Sequence, residues 1–112
     1  MAYHDAPEGT PAEDDREPPS RIFQEQYAGL GKRFPRHGYY PVADPTEPLN
    51  KEHMVGDAID DLADIVGDLE EVVWRSENIG SEDAHWYFKF LYRSHWGKHL
   101  RELSLYLHAK TW

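Results

Sequence analysis

The chain has 112 residues, of which 12 are Lys or Arg, 21 are Asp or Glu and none is Cys. This length predicts a single small domain and excludes a multidomain enzyme. The formal net charge of −9 repels phosphate backbones and anionic lipids, so we expect neither a nucleic acid nor a membrane as the main partner. The absence of cysteine suits a reducing compartment, and no secretory leader or run of about 18 apolar residues is visible. We therefore expect a cytoplasmic protein.

The first half of the chain is rich in proline and in acidic residues. Residues 1–19 contain four prolines and six carboxylates but almost no large apolar group. Such a segment cannot bury enough surface to fold, so we predict a disordered acidic tail over 1–19. Ser20 is suited to cap a short helix over residues 20–30, and repeated prolines predict a loop over residues 32–50.

The second half has no proline and is predicted to form two long helices. Apolar residues recur at helical spacing from Val55 to Val73, which predicts a helix over residues 51–75. Ser81, followed by two acidic residues, is a typical helix start and predicts a second helix over residues 82–110. The predicted fold class is all-α, a single domain over residues 20–112.

In this fold, an antiparallel helical hairpin carries the short N-terminal helix as an extra element. A domain of this size has a thin core, whereas the last predicted helix has more aromatic surface than such a core can bury. We therefore expect a homodimer in which two hairpins complete a bundle, or another protein partner that covers the same surface.

Four aspartates fall in one row on the first long helix. Asp57, Asp61, Asp64 and Asp68 are spaced by three or four residues, which places them within roughly 60° of one another on a helical wheel. Neighbouring like charges at this spacing repel each other. The row therefore requires a compensating positive group.

A divalent metal is one such group. The next helix contains His95 and His99, and a spacing of four residues directs two imidazoles towards one ion. The candidate metal ligands are Asp61, Asp64, Asp68, His95 and His99. Mg²⁺, Mn²⁺ or Zn²⁺ is the cofactor that such a site would hold, and no other cofactor is expected.

Pairing between the two helices is the alternative, and we favour it from the sequence. The last helix is basic and the preceding one is acidic, so opposite charges on paired helices explain the row without a metal. The residues proposed to pair are Asp57, Asp61, Asp64 and Asp68 on one helix with Arg93, Lys98 and His99 on the other. Further aromatic and aliphatic side chains of the last helix form a possible interface, namely Trp86, Tyr87, Leu91, Trp96 and Leu105.

Four motifs together resemble a known family. They are YPVADP at residues 40–45, VGDAIDDLADI at 55–65, HWGKH at 95–99 and LYLH at 105–108. In this order they are similar to the C-terminal part of the bacterial domain of unknown function 5063 family, over roughly residues 39–109. The resemblance implies a mostly helical fold and implies no activity. Gly67 departs from the family pattern, in which a bulkier residue is typical.

These observations lead to two main functional hypotheses. The first is a protein-interaction or structural module, which follows from charge complementarity and surplus aromatic surface. The alternative is a metal-dependent hydrolase of phosphorylated or nucleotide substrates that uses the aspartate row and His99. A weaker third idea is an acidic decoy for a basic surface, of the kind an antitoxin or immunity protein provides. No residue is identified as catalytic.

Overall fold

The computed structural model describes residues 7–48 and 54–111 of the protein. In chain order these residues form α1 (Phe23–Arg33), β1 (Tyr39–Val42), β2 (Met54–Asp57), α2 (Ala58–Asn78), α3 (Ser81–Leu91), a π-helical turn (Tyr92–Trp96) and α4 (Gly97–Thr111). Because α3, the π turn and α4 follow one another without a break, the described part of the chain is built on three helical stretches. The predicted mostly helical fold is confirmed.

A two-stranded antiparallel sheet corrects the all-α prediction. Tyr39 pairs with Asp57 and Val42 pairs with Met54, so β1 and β2 run along each other. Helical spacing had assigned Val55 to the core, yet its side chain is 71% exposed. A Cβ at Gly56 would lie 2.8 Å from Cζ of Tyr40, so the glycine in β2 lets that ring lie against the strand. Residues 54–57 therefore pair as a strand, whereas residues 51–53 of the predicted helix lie outside the described residues.

The first long helix begins where the sheet ends. The Asp57 carboxylate accepts hydrogen bonds from the backbone N–H of Ile59, at 3.0 Å, and of Asp60, at 3.4 Å. These bonds satisfy two N–H groups that have no partner within the helix, which is the role of an N-cap residue. Asp57 therefore begins α2 and does not belong to the aspartate row along it.

The long helices form the predicted antiparallel hairpin. Asp61 meets His99, Asp68 meets His95 and Arg75 meets Asp83, so the partners run in opposite directions along the chain. Two buried clusters lie between the helices. One is centred on Tyr92 and Trp96, and the other on Tyr40, Ala58 and Leu103; Ile65 packs against both.

The N-terminal elements lie on the outside of this hairpin. Helix α1 is displaced from the predicted range 20–30, and Ile22, not Ser20, is its N-cap residue, without a side-chain hydrogen bond. No residue of α1 is buried. The helix contacts α2 through Gln26, whose Nε2 donates to Glu70 at 3.2 Å, and contacts the cap through Tyr27, whose hydroxyl donates to Asp57 at 2.5 Å.

Residues 7–19 have no helix or strand but lie along the start of α3. The N–H of Thr10 donates to the carbonyl of Glu82 at 3.0 Å, and the N–H of Ala12 donates to Asp83 at 2.9 Å. Disorder of residues 1–19 in solution stays a prediction, and residues 1–6 lie outside the described part. No helix of the described residues is long and apolar enough to cross a lipid bilayer.

Candidate metal centre

Three aspartates of α2 face two histidines of the opposing helical stretch. Asp61, Asp64 and Asp68 lie one turn apart along one face of α2. Opposite them, His95 lies in the π turn and His99 in α4, with ring centroids 4.8 Å apart. The arrangement brings together all five of the predicted metal ligands.

The two rings are held in the same way. Nδ1 of His95 donates to Oδ2 of Asp68 at 2.6 Å, and Nδ1 of His99 donates to Oδ1 of Asp61 at 2.6 Å. An ionised carboxylate can only accept hydrogen bonds, so each Nδ1 carries the proton. In the neutral ring this leaves the Nε2 lone pair available, as in sites where a carboxylate orients a metal-binding histidine.

Both Nε2 atoms lie near the same carboxylate oxygen. Oδ2 of Asp64 is 3.2 Å from Nε2 of His99 and 3.7 Å from Nε2 of His95. One donor atom from each of these three residues lies within 4.8 Å of the other two. Two ligands that bind a tetrahedral zinc ion at about 2.0–2.1 Å are themselves about 3.3 Å apart. The separations measured from Asp64 are close to this value.

Asp61 and Asp68 lie behind the candidate ligand atoms of Asp64, His95 and His99, on the far side of the two histidine rings. Asp61 is 3% exposed and Asp68 is 7% exposed, and the hydroxyl of Tyr40 donates to the second oxygen of Asp61. The Tyr40 ring stacks on the Tyr106 ring, with centroids 4.6 Å apart, and this contact fixes the position of Tyr40. The two buried carboxylates thus fix the orientation of the histidines, and β1 helps to fix one of the carboxylates.

The site alters the proton affinity of several of its groups. The hydrogen bond with Asp61 raises the pKa of His99, although burial opposes this effect. Burial raises the pKa of Asp68, although the hydrogen bond with His95 opposes it. Burial, followed by the charge of Asp64, raises the pKa of Asp60. A cation at this place would relieve the repulsion among these carboxylates.

Asp60 forms a second donor cluster with Asp61 and His99, also within 4.8 Å. Both oxygens of Asp61 accept hydrogen bonds, from Tyr40 and His99. In the described part of the chain, by contrast, the Asp60 side chain has no hydrogen bond. Asp60 is therefore a partly buried carboxylate at the edge of the centre that can accept a proton or a ligand.

Arg21, which precedes α1, reaches α2 beside the centre. Its guanidinium lies over Gly67, where a Cβ would overlap it. Nη1 is 3.4 Å from the carbonyl of Ala63, and Nη2 is 3.8 Å from Oδ1 of Asp64. Gly67, in the middle of α2, thus leaves room for the Arg21 guanidinium beside Asp64, a candidate metal ligand.

The π turn sets the position of His95. The N–H of Gly97 bonds to the carbonyl of Tyr92 and closes the wider turn. A Cβ at Gly97 would overlap that carbonyl and lie 3.0 Å from the Tyr92 ring. The backbone there therefore requires glycine. π-helical turns within α-helices are frequent at functional sites, and this one contains a candidate ligand.

The remaining residues of the predicted helix pairing lie elsewhere. Asp57 is the cap of α2. Nζ of Lys98 lies 3.6 Å from the carboxylate of Glu102 on its own helix. Arg93 and Lys98 line a different pocket, together with residues 43–46. The structure therefore places the two histidines against the aspartates of α2. It does not place Arg93 or Lys98 against them.

The residues of the predicted interface fall into two groups. Trp96 is buried in the core and Leu91 packs beside it. Trp86 stacks on Phe90 with centroids 4.8 Å apart, the Tyr87 ring lies 3.5 Å from the guanidinium carbon of Arg75, and Leu105 is 71% exposed. The aromatic residues of this second group, Trp86 and Tyr87, thus lie together on α3, away from Leu105 on α4.

Three residues of the centre were not predicted from the sequence. Asp60 neighbours the predicted row and could have been found as a further carboxylate of the same turn. Tyr40 and Arg21 come from β1 and from the segment before α1, and helical spacing says nothing about where either is placed. The unusual Gly67 was a signal that some group approaches α2 closely.

The comparison with family models gives one result. Residues 12–111 match the family described as a domain of unknown function, DUF5063. The match extends beyond residues 39–109, over which the motifs showed the resemblance, and it includes Arg21 and α1. No curated protein and no solved structure matches the chain. Because the match covers most of the sequence, the chain belongs to the DUF5063 family.

Proposed function

We propose that the protein is a metal-dependent hydrolase whose ion is held by Asp64, His95 and His99. The observation that carries this proposal is the convergence of two imidazole Nε2 atoms on one carboxylate oxygen, at 3.2 and 3.7 Å. Three protein ligands leave a fourth position for water, which is typical of catalytic rather than structural zinc sites. Imidazole also favours Zn²⁺ over Mg²⁺, so Zn²⁺ is the first choice among the three metals considered.

The surrounding residues have distinct roles in this proposal. Asp68 and Asp61 orient the two histidines through Nδ1, and Tyr40 orients Asp61. When bound, a divalent ion lowers the pKa of a coordinated water and makes it a nucleophile at neutral pH. Asp60, which has a raised pKa and lies at the edge of the donor set, accepts the proton of that water.

Metal titration tests the first step. Calorimetry with Zn²⁺, and visible absorbance with Co²⁺, should show one ion per chain in the wild-type protein. His99→Gln removes a ligand and should weaken binding by more than about 100-fold, while Asp68→Asn should weaken it by about 10–100-fold. His108→Gln, an exposed histidine of α4, is the matched control and should bind as wild type. Equal affinities in all four proteins would overturn the proposal.

Hydrolysis is tested separately with the zinc-loaded protein. p-Nitrophenyl phosphate and bis(p-nitrophenyl) phosphate are suitable probes because release of p-nitrophenolate is visible. Asp60→Asn should keep its metal affinity within a few-fold and lose most of the activity, by about 10²–10⁴-fold. A zinc-loaded wild-type protein that hydrolyses neither ester would rule out phosphoester hydrolysis and leave metal binding alone.

A protein-interaction module is the second candidate. Its support is the exposure of large apolar side chains, with Val73 at 55%, Phe90 at 45% and Leu105 at 71% exposed. A second copy of the chain is the partner to test first, by light scattering. A dimer that Phe90→Ser or Leu105→Ser dissociates would support this role, and a monomer at all concentrations would exclude a homodimer.

A further inference from the structure

A pocket of about 420 Å³ opens beside the candidate metal centre. Residues 18–21 form one wall, and α2 forms the other with Gly67, Asp68 and Trp74. Asp68 is the carboxylate that holds His95, so this pocket and the metal centre share a wall. Its volume lies within the range of small-molecule sites.

We infer that this pocket binds the phosphorylated ligand, with Arg21 as the residue that contacts the phosphate and Trp74 as the surface for a planar ring. The inference rests on the proposed function, because the bound metal supplies the second positive charge. It identifies the substrate class as a small aromatic phosphate compound, of which a mononucleotide is the obvious example.

Arg21 has N–H donors that the protein itself does not fully use. A guanidinium has five N–H donors, and in the described part of the chain Arg21 has one hydrogen bond, at 3.4 Å, and one ion pair, at 3.8 Å, both long. Its side chain is 36% exposed, so the remaining donors are accessible from the pocket. Arginine binds phosphate through two parallel hydrogen bonds. These bonds require N–H donors that are not already used within the protein.

The residues that line the pocket carry charges of both signs. Asp68, Glu70 and Glu71 also line it, and three free carboxylates would repel a phosphate. Each of them accepts a hydrogen bond, Asp68 from His95, Glu70 from Gln26 and Glu71 from Arg75. Only Arg75 among these donors carries a fixed positive charge, so Arg21 and the bound metal must offset the charges of Asp68 and Glu70. Among the residues that line the pocket, Arg21 is the positively charged one, and its N–H donors that have no partner within the described residues suit an anion.

Gly67 leaves open the space on α2 that the Arg21 guanidinium occupies. Any side chain there would displace the Arg21 guanidinium from its position beside Asp64. A glycine in the interior of a helix is unfavourable for the helix itself. A requirement for the guanidinium at this position explains the glycine. An arginine that pointed into solvent would carry the same charge without needing the space above Gly67.

Calorimetry on the full chain, first with Zn²⁺ and then with adenosine monophosphate, inorganic phosphate or adenosine, tests the inference. The zinc-loaded protein should bind adenosine monophosphate more tightly than either fragment. Arg21→Gln and Gly67→Ala should each weaken binding of the nucleotide and of phosphate by at least about 10-fold, and Trp74→Leu should weaken binding of the nucleotide but not of phosphate. Arg16→Gln, on the same segment, is the control.

The outcomes separate this inference from the proposed function. Gly67→Ala retains every metal ligand and should bind Zn²⁺ as wild type, so loss of nucleotide binding there would not come from a lost centre. Zinc binding without binding of phosphate or nucleotide would overturn the inference and leave the metal proposal standing. Equal nucleotide affinity in the wild type, Arg21→Gln and Gly67→Ala would also overturn it. Failure to bind zinc would overturn both.

Discussion

Oδ1 of Asp61 and Nδ1 of His99 lie 2.6 Å apart across the helical hairpin, and Asp61 is 3% exposed. This hydrogen bond connects the first turn of α2 to the first turn of α4. It raises the pKa of His99 above the ordinary value of 6.5. The bond therefore affects both the stability of the protein and the pH dependence of that stability.

The first prediction is that the metal-free protein becomes less stable as the solution becomes alkaline. A raised pKa means that folded His99 holds its proton more tightly than unfolded His99. The resulting stabilisation is complete below pH 6.5 and is lost as the pH rises through the folded-state pKa. Urea unfolding between about pH 6 and about pH 9 measures this loss.

The control for this prediction removes the titrating ring. His99→Gln should have a flatter dependence of unfolding free energy on pH, because Asp60, Asp61 and Asp64 no longer face a titrating ring. Ser104→Ala, at an exposed neutral position of the same helix, should keep the wild-type slope. An identical slope in wild type and His99→Gln would show that the interaction does not favour the charged ring.

The second prediction concerns Tyr40. Its hydroxyl donates to buried Asp61, so Tyr40→Phe leaves one oxygen of that carboxylate without its donor. We expect the free energy of unfolding to fall by about 1–3 kcal/mol. Tyr39→Phe changes the neighbouring side chain, which is 75% exposed, and should stay within about 0.5 kcal/mol of wild type. A similar loss in both variants would mean that the bond contributes nothing specific.

The sequence predicted the helices and the facing of aspartate and histidine because these depend on local periodicity. Asp61, Asp64 and Asp68 repeat at helical spacing, and so do His95 and His99. Two helices joined by a short connection pack antiparallel, which then brings the rows together. The spacing does not fix the rotation of the two helices about their axes. That rotation decides which carboxylate accepts a hydrogen bond from a histidine and which one offers an oxygen to a metal ion.

The sheet and the contributions from outside the hairpin could not be predicted in the same way. Val55 and Gly56 fit the helical spacing that follows them, but pairing with β1 makes residues 54–57 a strand. Strand pairing between residues 12 or more apart is not a local property of either segment. For the same reason, nothing in the sequence around Arg21 indicated that its side chain would lie on Gly67.

The third prediction concerns the other end of the hairpin. Nη1 of Arg75 lies 3.2 Å from Oδ2 of Asp83, and the two side chains are 9% and 3% exposed. Asp83→Ala removes one of the two carboxylates paired with Arg75 and leaves the buried guanidinium with Glu71 alone. We expect the free energy of unfolding to fall by about 3 kcal/mol, measured by urea unfolding.

The same substitution also affects the N-terminal segment. The Ala12 N–H donates to Asp83 at 2.9 Å, so residues 7–19 should become more susceptible to proteolysis in Asp83→Ala. Glu82→Ala, at an exposed neighbouring position, is the control, since only the backbone carbonyl of Glu82 contacts Thr10. Unchanged cleavage of the segment in Asp83→Ala would show that this hydrogen bond does not hold it.

The fourth prediction separates the position of His95 from its chemistry. Gly97→Ala introduces a Cβ that overlaps the Tyr92 carbonyl, which belongs to the backbone and cannot move aside as a side chain would. The π turn should therefore shift and take His95 with it. We expect a loss of about 1–3 kcal/mol of stability and a rise in the dissociation constant for Zn²⁺ of at least about 10-fold.

Gly31→Ala provides the comparison, because no atom beyond its chain neighbours and the local backbone of α1 lies within 4 Å of the Cβ that it would add. This variant should be as stable as wild type or more stable by up to about 1 kcal/mol, since alanine favours a helix. Its zinc affinity should be unchanged. If Gly97→Ala lost stability but bound Zn²⁺ as tightly as Gly31→Ala does, the π turn would serve packing against Tyr92 and not the placement of a ligand.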